Sequence, residues 1–269
     1  MINILVTLNA AYLNPLKVML KSLFVNNPNE SFSVYLMHSS IKEDELAGLN
    51  QFIEFNGQRL IVITLHDQYF QDAPVLMHYT KEMYYRLLAF KFLPNDIDKI
   101  LYLDPDIIVI NEIRTLYDLD LESYLYAAAY HKLVPVKGIN KIRLKAYEME
   151  EYFNSGVLLM NLHLQRERIK ETEIYQFVAK KRNRLILPDQ DIINSLYAKE
   201  IKKIEEIKYN YDTRYYRYNK ILSKGRVDMD YIIHNTVILH FCGKKKPWHK
   251  NYHGVFHSLY KHYEKLALN

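Results

Sequence analysis

The sequence predicts an α/β fold built on a mostly parallel sheet. Short apolar runs alternate with amphipathic stretches of helical period from Ile2 to Ile110, the pattern of repeated strand–helix units. The 269 residues, 49% hydrophobic and 25% charged, suffice to bury one sizeable core. No internal repeat, low-complexity tract or linker divides the chain. One domain over residues 1–250 is therefore expected, followed by a small basic and aromatic appendage over 251–269, packed on it or lying at a membrane surface.

Each element has a local reason. Residues 2–7 are short and apolar, as a buried strand is. Asn14-Pro15 predicts a helix start, with Asn14 as the cap and Pro15 at the first helical position. Leu16, Met19, Leu20 and Leu23 follow at helical spacing, and Pro28 lies beyond the end. A second strand is predicted at 33–38, a second helix at 41–55 and a third strand at 59–65. Residues 80–92 predict one helix, closed by Leu93-Pro94. Two short strands, 99–103 and 107–110, flank an acidic corner. Further on, strands are predicted at 125–129, 156–161 and 236–240, and helices at 174–181, 189–197 and 255–266. In open sheets of this kind, ligands sit beyond the carboxyl ends of strands.

Composition excludes several chemistries. The single cysteine, Cys242, allows no disulfide framework and no CxxC knuckle, and suits a reducing cytoplasm. The closest of the seven glycines are Gly48 and Gly57, too far apart for a Walker A loop, a GxGxxG turn or a GxSxG elbow. A phosphate on this chain would rely on a metal ion or basic side chains. No apolar run is long enough for a membrane-spanning helix, and the N-terminus lacks the features of a signal peptide. Charge is uneven. The net +5 comes from 36 basic and 31 acidic residues, of which Lys199 to Asn269 holds 15 and 7, a local +8, leaving −3 elsewhere. Basic residues mixed with tyrosines suit a phosphorylated ligand, an anionic membrane surface or a single-stranded nucleic acid. No nucleic-acid motif supports the last.

Four stretches carry chemistry. In Ile100-Leu101-Tyr102-Leu103-Asp104-Pro105-Asp106-Ile107, two carboxylates end a buried strand and alternate so that they converge on one cation; a plain strand-end turn is the competing reading. In Leu239-His240-Phe241-Cys242-Gly243-Lys244-Lys245-Lys246, an imidazole is followed by a glycine and three lysines, of which Lys246 suits a phosphate. Polar Asn154-Ser155-Gly156 opens an apolar strand. In Pro188-Asp189-Gln190-Asp191, Asp189 suits a helix cap, while the Gln190 amide suits sugar hydroxyls. Arg86, in Tyr84-Tyr85-Arg86-Leu87, interrupts an apolar helical pattern, and a solvated side chain is its default reading.

Together with Leu5-Val6-Thr7 these stretches resemble, in order and from Ile4 to Trp248, the family 8 glycosyltransferases. The resemblance implies a GT-A fold, a Rossmann-like central sheet flanked by helices. It implies a retaining hexosyltransferase that moves glucose or galactose from a UDP-sugar to a saccharide or lipid-linked acceptor, in the manner of cell-envelope polysaccharide enzymes. Asp104, Asp106 and His240 match the ligands of Mn²⁺, with Mg²⁺ as the alternative ion. Gly243 and Lys246 match diphosphate contacts, and Thr7, Leu8, Asn9 and Tyr12 the uridine loop. Arg86, Asp104, Pro105, Asn154, Ser155, Asp189 and Gln190 match the surroundings of the donor sugar, with Asp189, Gln190 and Lys246 as the catalytic candidates. One departure is Asn9-Ala10-Ala11-Tyr12, where the family commonly has Asp, any residue, then Asn before the Tyr. Ala11 offers no side-chain hydrogen bond, a loss of about 1 kcal/mol. A catalytically weak or inactive sugar-nucleotide-binding protein is the alternative expectation, and peripheral contact with the inner face of a membrane a further one.

Overall fold

The structure, a computed structural model, describes residues 1–65, 82–130 and 151–269. In chain order the described strands and helices are β1 (Ile2–Thr7), α1 (Leu13–Val25), β2 (Phe32–His38), α2 (Glu43–Phe55), β3 (Arg59–Thr64), α3 (Glu82–Tyr85), α4 (Ala89–Phe92), β4 (Lys99–Leu103), β5 (Ile107–Val109), α5 (Arg114–Tyr117) and β6 (Tyr126–Ala128). There follow β7 (Val157–Asn161), α6 (Leu162–Arg168), α7 (Glu171–Lys181), α8 (Pro188–Tyr197), β8 (Ile201–Lys203), α9 (Glu206–Tyr209), β9 (Tyr211–Asp212), α10 (Tyr216–Leu222), α11 (Met229–Asn235), β10 (Ile238–His240) and α12 (His257–Leu268).

Seven strands form the central sheet in the order β3-β2-β1-β4-β7-β6-β8. The pairings β3–β2, β2–β1, β1–β4 and β6–β8 are parallel; β7 runs antiparallel to both its neighbours. The sheet is thus mostly parallel, as its apolar runs imply. Its two faces are covered by separate cores. Leu5, Tyr102, Leu158 and Ile192 belong to one, and Ile4, Leu16, Leu101 and Leu159 to the other, as the period-two alternation of strand side chains requires. A second sheet, β5-β10-β9, stands beside the first. Its strands are two or three residues long, too short for a sequence period to reveal β9.

Three details differ from the sequence reading. Asn14 does not cap α1. Asn9 accepts from the Ala11 N–H to start a 3₁₀ turn that runs into the helix, and Pro15 falls in the first helical turn, where its missing N–H costs nothing. The helix expected at 80–92 is interrupted: α3 and α4 are separated by a 3₁₀ turn over Arg86–Leu88, and the start of that expectation lies outside the described residues. The 255–266 helix begins later, at His257.

The C-terminal helix α12 packs on α1. Tyr260 and Tyr263 are buried, and Tyr263 Oη accepts from Asn26 Nδ2 at 2.8 Å. Asn26 also donates to the Val109 carbonyl, which joins α12, α1 and β5.

Candidate active site

The chain topology builds the site. Strand β4 ends at Leu103, and the Asp104 N–H donates to the Gly156 carbonyl at 2.8 Å, the last rung shared with β7. Pro105 turns the chain out of the large sheet and β5 enters the small one. There His240 of β10 lies opposite Ile107, and the Phe241 N–H donates to the Asp106 carbonyl at 2.9 Å. Antiparallel register therefore carries the imidazole to the acidic corner from 134 residues away. His240 Nε2 lies 3.3 Å from Asp106 Oδ1 and 3.9 Å from Asp104 Oδ2.

A chain of amides fixes which imidazole nitrogen faces the carboxylates. Asn210 Nδ2 donates to Asn154 Oδ1 at 2.9 Å, which also accepts from the Gly156 N–H. Asn210 Oδ1 then faces His240 Nδ1 at 2.8 Å and requires a proton there. Nε2 is the nitrogen turned to the acidic corner, the arrangement of a metal-bound histidine. Gly156 is equally specific, because a Cβ there would collide with the His240 ring and come within 2.7 Å of Asp104 Oδ2.

The charges are coupled. Burial opposes ionisation of Asp106, but Lys246 and His240 overcome it and hold its carboxyl far below the usual carboxylate range. Burial opposes protonation of His240, but Cys242 and Asp106 raise its pKa well above the ordinary value. Lys246 Nζ forms an ion pair with Asp106 and donates to the Phe241 carbonyl at 3.1 Å. Two carboxylates and an imidazole offer one ligand atom each, all within 4.8 Å of one another. The Lys246 ammonium and, when it is protonated, the His240 imidazole supply positive charge to the carboxylates. The donor set fits a hard divalent cation, with the nitrogen favouring Mn²⁺ over Mg²⁺.

The sequence profile of glycosyl transferase family 8 matches residues 3–252. The chain belongs to glycosyltransferase family 8. A lipopolysaccharide 1,2-glucosyltransferase of Escherichia coli K12 is 26% identical over 258 residues, spanning 93% of this chain and 73% of its own. General stress protein A of Bacillus subtilis is 27% identical over 261 residues, spanning 94% and 89%. Among solved structures, the galactosyltransferase LgtC, crystallised with donor and acceptor sugar analogues, superposes with a TM-score of 0.85 at 23% identity, over 100% of this chain and 97% of that one. That likeness, with the observed sheet, identifies the GT-A fold.

The remaining residues singled out for a family 8 site fall into two groups. Arg86 is the hub of the first and is buried rather than solvated. Its guanidinium meets Asp104 at 3.0 Å and Asp189 at 3.2 Å, donates to the Ser155 carbonyl at 2.9 Å and lies 4.0 Å over the Tyr102 ring. Asp189 does not cap α8. It accepts from Ser155 Oγ at 2.8 Å, while Asp191 takes the Ile186 and Leu187 N–H groups. Burial raises the Asp189 pKa, with Arg86 opposing it. Gln190 Oε1 accepts from the Ser155 N–H at 3.2 Å and from Asn154 Nδ2 at 3.4 Å, so its acceptor side is already committed.

The second group is the first loop. Thr7 and Leu8 are buried, and the Leu8 side chain is packed in the apolar core, away from any ligand. Asn9 spends its side-chain oxygen on Ala11. Tyr12 lies within electrostatic reach of Lys246, Asp106 and Asp104 and packs edge-on against Trp248 at 6.0 Å. Gly243 adopts φ +92°, open to glycine without strain. The sequence reading missed Asn210 and Tyr102. Tyr102 Oη donates to Asp104 Oδ1 at 2.6 Å and could have been found as a polar tip two residues before the acidic corner. Asn210 carried no such signal.

Proposed function

We propose that this chain transfers a hexose from a UDP-sugar to a saccharide or lipid-linked acceptor with retention at the anomeric carbon. The reading is carried by one observation: in a family 8 chain, Asn210 turns His240 Nε2 onto the carboxylates of Asp104 and Asp106. These three would hold Mn²⁺, which when bound supplies Lewis-acid stabilisation to the departing diphosphate. Lys246 would exchange Asp106 for the diphosphate and steady its developing charge. Arg86 keeps Asp104 and Asp189 in place, and Gln190 Nε2, partnerless among the described residues, is available to a sugar hydroxyl. Asp189, already held by Arg86 and Ser155, is poorly disposed to act as a nucleophile. A front-face route is favoured, in which the acceptor hydroxyl attacks from the side the diphosphate leaves and passes its proton to that diphosphate.

Asp104→Asn and Asp106→Asn should each abolish Mn²⁺-dependent transfer while the fold survives. Full activity of both variants in the presence of a chelator would refute the reading. Lys246→Ala should lower kcat more than it raises KM. Mn²⁺-stimulated hydrolysis measured across UDP-glucose and UDP-galactose assigns the donor. Binding of UDP-sugar with no hydrolysis or transfer would favour the non-catalytic reading, to which Ala11 and the committed Asn9 oxygen lend weight.

No helix among the described residues is long and apolar enough to cross a membrane. Contact with a cytoplasmic, anionic leaflet is part of the proposal. Tyr218, Ile221 and Leu222 of α10 are 47%, 75% and 56% exposed, and from Arg214 to Arg226 there are five basic residues and no acidic one. Ile221→Asp with Leu222→Asp should abolish sedimentation with phosphatidylglycerol vesicles; equal sedimentation of wild type and variant would remove this contact from the account.

A further inference from the structure

A cleft of about 540 Å³ opens beside the Gly243 turn. Arg214, just before α10, and Arg217, within it, line the cleft together with Lys244, Lys245 and His253. No aspartate or glutamate lines it. The volume is that of a small-ligand pocket.

The cations are not equivalent. Arg214 is held in place: its Nε and Nη2 donate to the fully buried Asp212 carboxylate at 2.6–3.1 Å. Its Nη1 rests against Gly243, where a Cβ would approach to 2.8 Å. Arg217, Lys244 and Lys245 make no ion pair among the described residues. Like charges gathered around one concavity repel, and an anion inside it relieves them all at once. The turn that supplies Cys242, Gly243, Lys244 and Lys245 to the cleft begins at His240 and ends at Lys246. One turn of chain thus joins the cleft to the proposed donor site, with His240 before it and Lys246 after it. A neutral sugar would leave the cations unanswered; a phosphorylated one would not.

We propose that this cleft receives a phosphate-bearing part of the acceptor saccharide, so that acceptor choice rests on charge beside the donor. The proposal rests on the transferase reading and adds the class of the acceptor to it. Calorimetry on protein saturated with Mn²⁺ and UDP compares three probes, glucose 6-phosphate, glucose and inorganic phosphate. Glucose 6-phosphate should bind about tenfold or more tighter than glucose, and its affinity should fall as salt rises. The variant Arg217→Gln, Lys244→Gln, Lys245→Gln changes exposed side chains only. It should lose that preference and keep the Mn²⁺–UDP affinity of the wild type.

Equal affinity for glucose and glucose 6-phosphate overturns the proposal, as does a preference that survives in the triple variant. Inorganic phosphate binding as tightly as the sugar phosphate, with the same loss in the variant, would make the cleft a free-phosphate site and overturn the acceptor assignment. If Mn²⁺ and UDP do not bind at all, the transferase reading fails. The wild type and the triple variant, compared with glucose 6-phosphate alone, then still report on the cleft.

Discussion

Gly156 shows how much of the site depends on one missing methyl group. Because a side chain there would strike the His240 ring and Asp104, Gly156→Ala should weaken Mn²⁺ binding by about tenfold or more and destabilise the fold by about 1–3 kcal/mol. Metal titration and thermal unfolding check both. Arg86 answers the buried Asp189 and the half-buried Asp104, so Arg86→Gln should cost about 2–4 kcal/mol and abolish turnover; a variant of wild-type stability would contradict its role as hub. Protonation gives a third test. His240 is raised in the ion-free protein, so it binds a proton below its folded pKa and must release it to bind a metal. Mn²⁺ affinity should therefore rise with pH, by up to about tenfold per unit for one released proton, until that pKa is passed. An affinity independent of pH would contradict the assignment. Asp104, Asp106 and His240 were legible because ligand-type residues at strand ends are conspicuous. Asn210 was not, since it acts through space on a residue 30 positions away.

At the level of elements, the large sheet was legible wherever strands are buried on both faces and read as apolar runs, as β1, β2 and β4 do. The small sheet was not. Its strands are held by register and by side chains from α1, whose contribution no local period records. Ser22 Oγ donates to the Met19 carbonyl at 2.6 Å and accepts from the Val109 N–H at 2.9 Å, fully buried between α1 and β5. Ser22→Ala strands a buried N–H and should cost about 1–3 kcal/mol in denaturant unfolding. Because β5 follows Asp106 directly, the same variant should loosen Mn²⁺ binding as well. Arg86 explains why the helix expected through it is broken. Its turn departs from α-helical hydrogen bonding where the side chain enters the site, so functional geometry prevails over helical periodicity.

Across the whole molecule, the two ends of the chain support one corner. Strand β1 lies beside β4, while β10, near the far end, supplies His240 and leads to Lys246. Charge asymmetry was legible in the sequence as a basic last quarter, but its partition into a buried Lys246, a lined cleft and an exposed α10 required the fold. The central claim is that Asp104, Asp106 and His240 hold one divalent ion through which UDP is bound. Calorimetry of UDP with and without Mn²⁺, on wild type and on His240→Ala, tests it most directly. The account predicts one UDP per chain bound only with Mn²⁺, and loss of that dependence in the variant. UDP binding of equal strength in EDTA, unchanged by the substitution, would contradict it.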